Sequence, residues 1–155
     1  MKKFLNVLLG VVLISSTFLL SFGSEASAAA MKDIPGSPGW KYRVDKPHVD
    51  GVNNDWHVHV QKGKINGAER VTGGKSHGKT LTSAGVPKSV QKNVKKTKDF
   101  QKGVDKQEKL DKERKKASQL TWNQILLKPS AIIAIAAAVG LTVGKLLLHP
   151  KLIFG

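Results

Sequence analysis

Apolar and polar positions along this chain change period several times. Phe4 to Phe22 is a run of 19 residues without a charge. Through 31–85 apolar residues alternate with polar ones: Trp40, Tyr42 and Val44 with Lys41 and Arg43, then Trp56, Val58 and Val60 with His57 and His59. A period of two in aromatic and β-branched residues predicts strands with one buried face. Asn53-Asn54 signals a turn before the second run, and Asn66-Gly67 between Ile65 and Val71 suits a tight hairpin. The expectation is a small antiparallel β unit, marginal at this size without a helix or partner over its apolar face.

From Val86 the period becomes helical. Val86, Val90 and Val94 fall on one face, Pro87 suits a first helical position, and Asp105/Lys109, Glu108/Lys112 and Asp111/Lys115 are acid-before-base pairs at i+4. A long lysine-rich helix is expected over 86–119, weakened at Gly103. Leu110 is the only large apolar residue between Val104 and Leu120, so the second half reads as a solvated spacer. Beyond Leu120 the chain is apolar again. Pro129 to Gly144 holds 16 uncharged residues, a helix of about 24 Å against a hydrocarbon core of about 30 Å. Snorkelling by Lys128 and Lys145 extends that length, so 120–149 is read as a hydrophobic, transmembrane helix. Ala136, Gly140 and Gly144 recur every four residues, a face for close helix packing and hence a homo-oligomer.

These regimes give an α+β fold with an N-terminal signal-peptide helix. Its segments are a signal peptide at 1–28, a β-rich unit at 31–85, a basic helix or spacer at 86–119, a hydrophobic membrane-associated helix at 120–149 and a tail at 150–155. Export rests on the cationic Met1-Lys2-Lys3 start, the apolar run and the small-x-small exit Ala26-Ser27-Ala28.

Composition sharpens the partners. The chain has 155 residues and no cysteine, which excludes disulfides, thiolate metal sites and cysteine nucleophiles. Net charge is +15 at pH 7. Removing Lys2, Lys3 and Glu25 with the first 28 residues leaves +14, from 24 basic and 10 acidic side chains. Lys88 to Ser118 alone carries +7, twelve basic minus five acidic. Lys88, Lys92, Lys95, Lys96, Lys115 and Lys116 would meet anionic lipid or an anionic cell-wall polymer. Nucleic acid is the weaker fit, since Phe100 is the lone aromatic among these lysines.

Two motifs resemble chemistry. Gly73-Gly74-Lys75-Ser76-His77-Gly78-Lys79-Thr80 satisfies the G-x-x-x-x-G-K-[ST] phosphate-loop pattern, but Gly85 and Pro87 leave no room for the helix that such a loop must open. It reads as a flexible glycine-lysine loop. His57 and His59 share a strand face, with His48 and His77 as further histidines nearby, and two imidazoles at i, i+2 can bind one zinc or supply acid/base chemistry. The simpler expectation is that this face is solvent-exposed, with no cofactor. The sequence thus favours an exported, cationic, membrane-associated bacterial protein without enzymatic activity, leaning towards a secreted toxin or bacteriocin-like precursor. The alternatives are a small metal-dependent hydrolase or nuclease toxin domain using His57 and His59, tethered by the tail, and an inert surface anchor or regulatory partner.

Overall fold

The computed structural model describes residues 30–48, 53–121, 124 and 127–154. The expected signal peptide at 1–28 lies outside them. An antiparallel four-stranded meander runs in chain order: β1 (Lys32–Asp33), β2 (Lys41–Asp45), β3 (His57–Lys62) and β4 (Ile65–Arg70). The alternation read from the sequence sets its inner face. Tyr42 pairs with Val60 and Val44 with Val58, and both valines of β3 are fully buried.

The hairpin turn differs from the expected one. Lys62 faces Ile65, so Gly63-Lys64 makes the turn with Gly63 at φ 54°, while Asn66 and Gly67 lie inside β4. A two-residue hairpin turn needs a positive φ at its first position, which glycine adopts without strain. Gly67 serves packing instead: a Cβ there would meet Ala84, Val86 and Leu81 at 3.1–3.2 Å. The segment that leads into the helices therefore lies directly on the strand.

The long basic helix is two helices. α1 (Lys88–Lys95) buries Val90 and Val94, and α2 (Lys98–Ala117) restarts at Thr97, whose hydroxyl accepts from the Phe100 amide. The break thus falls at a capping threonine, and Gly103 sits in the interior of α2. Its missing side chain brings the helix onto the sheet, for a Cβ would stand 2.9 Å from Val44 Cγ1 and 3.2 Å from Val71 Cγ1. Nor is the second half a solvated spacer. Phe100, Gly103, Gln107, Leu110, Arg114 and Ala117 form one buried stripe at alternating spacings of three and four. Lysines occupy the outer faces, and two of the buried positions are polar.

The apolar tail forms no spanning helix, which corrects the transmembrane reading; no helix among the described residues is long and apolar enough to cross a membrane. It folds as α3 (Pro129–Val139), α4 (Val143–Leu147) and α5 (Lys151–Phe154). Gly140, at φ 75°, ends α3 in a left-handed cap, with its amide and that of Leu141 donating to Ala136 O. Thr142 then caps α4. Ile135, Val139, Leu146, Leu152 and Ile153 are fully buried, and they join Leu110 and the sheet valines in one continuous core. The apolar face expected to need a partner is covered from within the chain.

Candidate metal centre

The second face of the sheet was expected to meet solvent, and the structure corrects this. His57 is completely buried and His59 half-buried. Their cover comes from the two flanking loops. The segment after β2 brings His48 in, and the glycine-lysine loop after β4 folds back through bridges between Glu69 and Lys75 and between Ser76 and Lys79. That loop is ordered by these pairings, and its product is His77. Among the described residues His77 is the one non-glycine with a positive φ, at 51°. Asn53 Oδ1 accepts its backbone amide at 2.9 Å and holds the conformation. His77 and Gly78, at φ 51° and 73°, are the two central residues of the turn closed by Ser76 and Lys79, a turn type that takes positive φ at both.

Four histidines converge. Ring centroids lie 4.9 Å apart for His48–His57 and His57–His77, 5.0 Å for His48–His77 and 5.1 Å for His57–His59 and His59–His77. His57 Nε2 and His77 Nε2 are 3.2 Å apart. Two sets of ligand atoms lie within 4.8 Å of one another: His48, His57 and His77, and Asp45, His57 and His59. His57 belongs to both.

The His57 ring is oriented from behind. His57 Nδ1 stands 2.9 Å from Asp55 O, which only a ring N–H can approach favourably, so Nδ1 carries the proton and Nε2 presents its lone pair to the cluster. Asp55 is itself fixed. Its carboxylate accepts from Arg114 at 2.8 Å and Gln107 at 3.0 Å, and pairs with Arg70 at 3.2 Å. Arg114 also donates to Asn54 O and Leu152 O, while Gln107 Oε1 accepts the Trp56 amide. The polar residues in the buried stripe of α2 therefore hold the start of β3, and through it the His57 ring.

Burial pushes the His57 imidazole below its ordinary value and holds His59 down to about 4, against the pull of Asp45. At neutral pH the 3.4 Å approach of His59 Nε2 to Asp45 Oδ2 is thus a contact of a neutral ring, not an ion pair. It is also too poorly aligned for a hydrogen bond: His59 Nε2 is one of three buried side-chain atoms without a hydrogen-bond partner among the described residues. The other two are Asn54 Oδ1 and Ser76 Oγ. All three belong to, or lie within three residues of, a cluster histidine. Orphaned polar atoms are costly in native interiors, and of the three His59 Nε2 is the one that belongs to the cluster itself, where a ligand or water would pair it.

A pH dependence follows. Histidines buried neutral take up protons more readily once unfolded, so the unfolded state binds more protons below their ordinary value near 6.5. The stability they confer is full above that value and is lost as pH falls towards 4. In metal-stripped protein the thermal midpoint is expected to decline across this window, and to decline less in His59→Gln. An equal decline in both proteins would show that other groups govern it.

No family model, curated protein or solved structure matches this chain.

The other residues singled out from the sequence are not brought together. Ala136 is buried in α3, Gly140 ends that helix and Gly144 lies in α4, so the three share no helix face. Lys88, Lys92, Lys95 and Lys96 are exposed on and just after α1, whereas Lys115 and Lys116 are exposed at the far end of α2. About 30 Å of helix separates the two groups. Sequence reasoning missed Asp45 and Asp55 as partners of the histidines. Asp45 could have been found, since it shares the parity of Arg43 on a strand that pairs with β3; Asp55 could not, because its role runs through α2.

Proposed function

We propose that this chain is an exported, metal-dependent hydrolase whose centre is the histidine cluster. His48, His57 and His77 would hold an ion of the zinc type, with His59 and Asp45 beside it. What supports this is the convergence of the His48, His57 and His77 ligand atoms within 4.8 Å, with the His57 tautomer fixed from Asp55; the 3.2 Å between the His57 and His77 Nε2 atoms is equally that of a direct N–H···N hydrogen bond. Zinc–imidazole bonds of about 2.0–2.1 Å place neighbouring tetrahedral ligands about 3.3–3.4 Å apart. Neutral imidazoles are the ligating form, and three protein nitrogens leave a coordination position for chemistry. A bound zinc supplies Lewis acidity and lowers the pKa of a water. His59 stands beside the three, its Nε2 3.4 Å from Asp45 and without a hydrogen-bond partner among the described residues, as the remaining ring that acid/base chemistry at the centre would use.

Export comes from the residues of segment 1–28, as read above. The rival reading, a non-enzymatic membrane-active protein, rests on the short glycine-bearing apolar segment at 120–149 and the +14 charge of the mature chain. Among the described residues that segment forms short helices packed into the core, while the charge stands. Tethering by the tail loses its basis for the same reason.

The test is metal content. Protein purified without a histidine tag, stripped and then offered zinc, is expected to retain about one ion per chain by mass spectrometry. It should then hydrolyse an activated ester or phosphodiester in a reaction that chelator stops. A chain that takes up no zinc at micromolar concentration, while keeping its fold by circular dichroism, would overturn the reading.

A further inference from the structure

All three arginines of the chain gather at this site. The sequence has 26 basic residues, of which Arg43, Arg70 and Arg114 are the arginines and the remaining 23 are lysines. Arg43 Nε donates to Asp45 at 2.8 Å; Arg70 and Arg114 both pair with Asp55. Elsewhere the basic side chains are lysine throughout. Arginine differs from lysine in its planar fork, which matches phosphate and carboxylate oxygens two at a time and stacks on flat rings.

Arg114 is buried and structural, but Arg43 and Arg70 line the histidine face. Arg43 lies directly across from His59 in the β2–β3 register, and Arg70 directly across from His57 in β3–β4. Their side chains are 29% and 45% exposed. A guanidinium has five N–H donors, more than either aspartate pair uses. Two strand spacings and a two-residue stagger separate the arginines, about 12 Å on the diagonal, with His57 and His59 between. Lys75 and Lys79 flank His77 on the loop, both exposed, and the cluster opens to solvent on that side, where His77 itself is exposed. Asp45 and Asp55 are the acidic residues at the centre, and both already face arginine.

We infer that the centre acts on phosphodiester links of single-stranded nucleic acid, with Arg43 and Arg70 holding the charged links on either side of the one placed at the histidines. The inference rests on the hydrolase reading above. A separation of about 12 Å between the two arginine backbones brackets the histidines, so a strand laid across them presents one phosphate to the cluster and its neighbours to the guanidinium groups. No aromatic platform stands on this face among the described residues, so recognition is of the backbone, and the guanidinium planes are the surfaces on which a base can stack. Hydrolysis adds one water per link. The water oxygen joins phosphorus, the bond from phosphorus to the leaving sugar oxygen breaks, one proton passes to that oxygen, and the other remains with the new phosphomonoester.

The experiment uses the zinc-loaded full chain and four probes: fluorescein-labelled 20-nucleotide RNA and DNA single strands, poly(glycerol phosphate), and p-nitrophenyl acetate. Zinc content and affinity are measured in parallel. Expected is cleavage of a nucleic-acid strand that weakens with salt, and KM about tenfold higher in Arg43→Gln and in Arg70→Gln, with zinc affinity retained. Loss of one charge-assisted phosphate contact has about this effect. Should either variant misfold, the salt dependence of the unaltered protein carries the test: each phosphate engaged adds about 0.7 to the slope for a single strand. Zinc-bound protein that cleaves only the acetate ester or only poly(glycerol phosphate) overturns the substrate inference and leaves the metal reading standing. Strand cleavage in chelator by protein that binds no zinc does the reverse.

Discussion

Replacing His57 by alanine is expected to abolish zinc-induced stabilisation. In the unaltered chain, free zinc at one hundred times its dissociation constant should raise unfolding free energy by about 2.7 kcal/mol. For a domain of this size that moves the thermal midpoint by several degrees. His57 is the test residue because both candidate ligand sets include it, so the outcome does not depend on which set binds. Removing its ring also empties a fully buried position. The metal-free variant should therefore start somewhat less stable, and the informative quantity is the zinc increment, measured by differential scanning with and without metal. Comparing His77→Ala with His59→Ala then separates the sets. If His48, His57 and His77 hold the ion, the first loses the increment and the second keeps most of it. An undiminished increment in His57→Ala would place any zinc elsewhere on the chain.

The second large effect is predicted behind the cluster, at the residue that fixes Asp55. Arg114 is buried, and its guanidinium donates to Asp55 Oδ1, Asn54 O and Leu152 O. Arg114→Ala leaves two carbonyls without this donor and Asp55 without one of its two arginines. Breaking a buried charge pair by deleting one partner costs about 3–5 kcal/mol, and urea unfolding should show a loss of that order. Arg114→Lys should recover only part, because an ammonium cannot reach three acceptors with a planar fork. Zinc affinity is expected to fall as well, by about 10- to 100-fold, the usual effect of disturbing the groups that orient a ligand. Asp55 O fixes the His57 tautomer, and Arg114 fixes Asp55. A loss below 1 kcal/mol would mean that Arg70 and Gln107 hold Asp55 without it.

Much of the sheet was legible because alternation is a local property. Trp40, Tyr42, Val44, Val58 and Val60 turned inward as their spacing required, and Val90 with Val94 set the buried face of α1. The helix break was misplaced because propensity pointed at Gly103, whereas a capping threonine at Thr97 decided it and the glycine was needed for contact with Val44. The stripe on α2 was visible as spacing and hidden as chemistry. Gln107 and Arg114 recur with Phe100, Gly103, Leu110 and Ala117, yet a polar residue at an inward position looks like surface until its partner is known.

By itself, the sequence determined the strands, the helical charge pattern, the absence of thiol chemistry and the pairing of His57 with His59 on one side of β3. Tertiary structure decided what covered that side. A histidine opposite buried valines faces water unless another segment folds over it, and here the glycine-rich loop does so, with His77 in a left-handed conformation held by Asn53. It also decided the fate of the apolar tail. Sixteen uncharged residues suit a bilayer or a protein core equally well by hydropathy. Gly140 and Thr142 break them into short helices, and the buried stripe of α2 offers a surface to cover. Both outcomes depend on residues distant in sequence meeting in space, which no local pattern encodes.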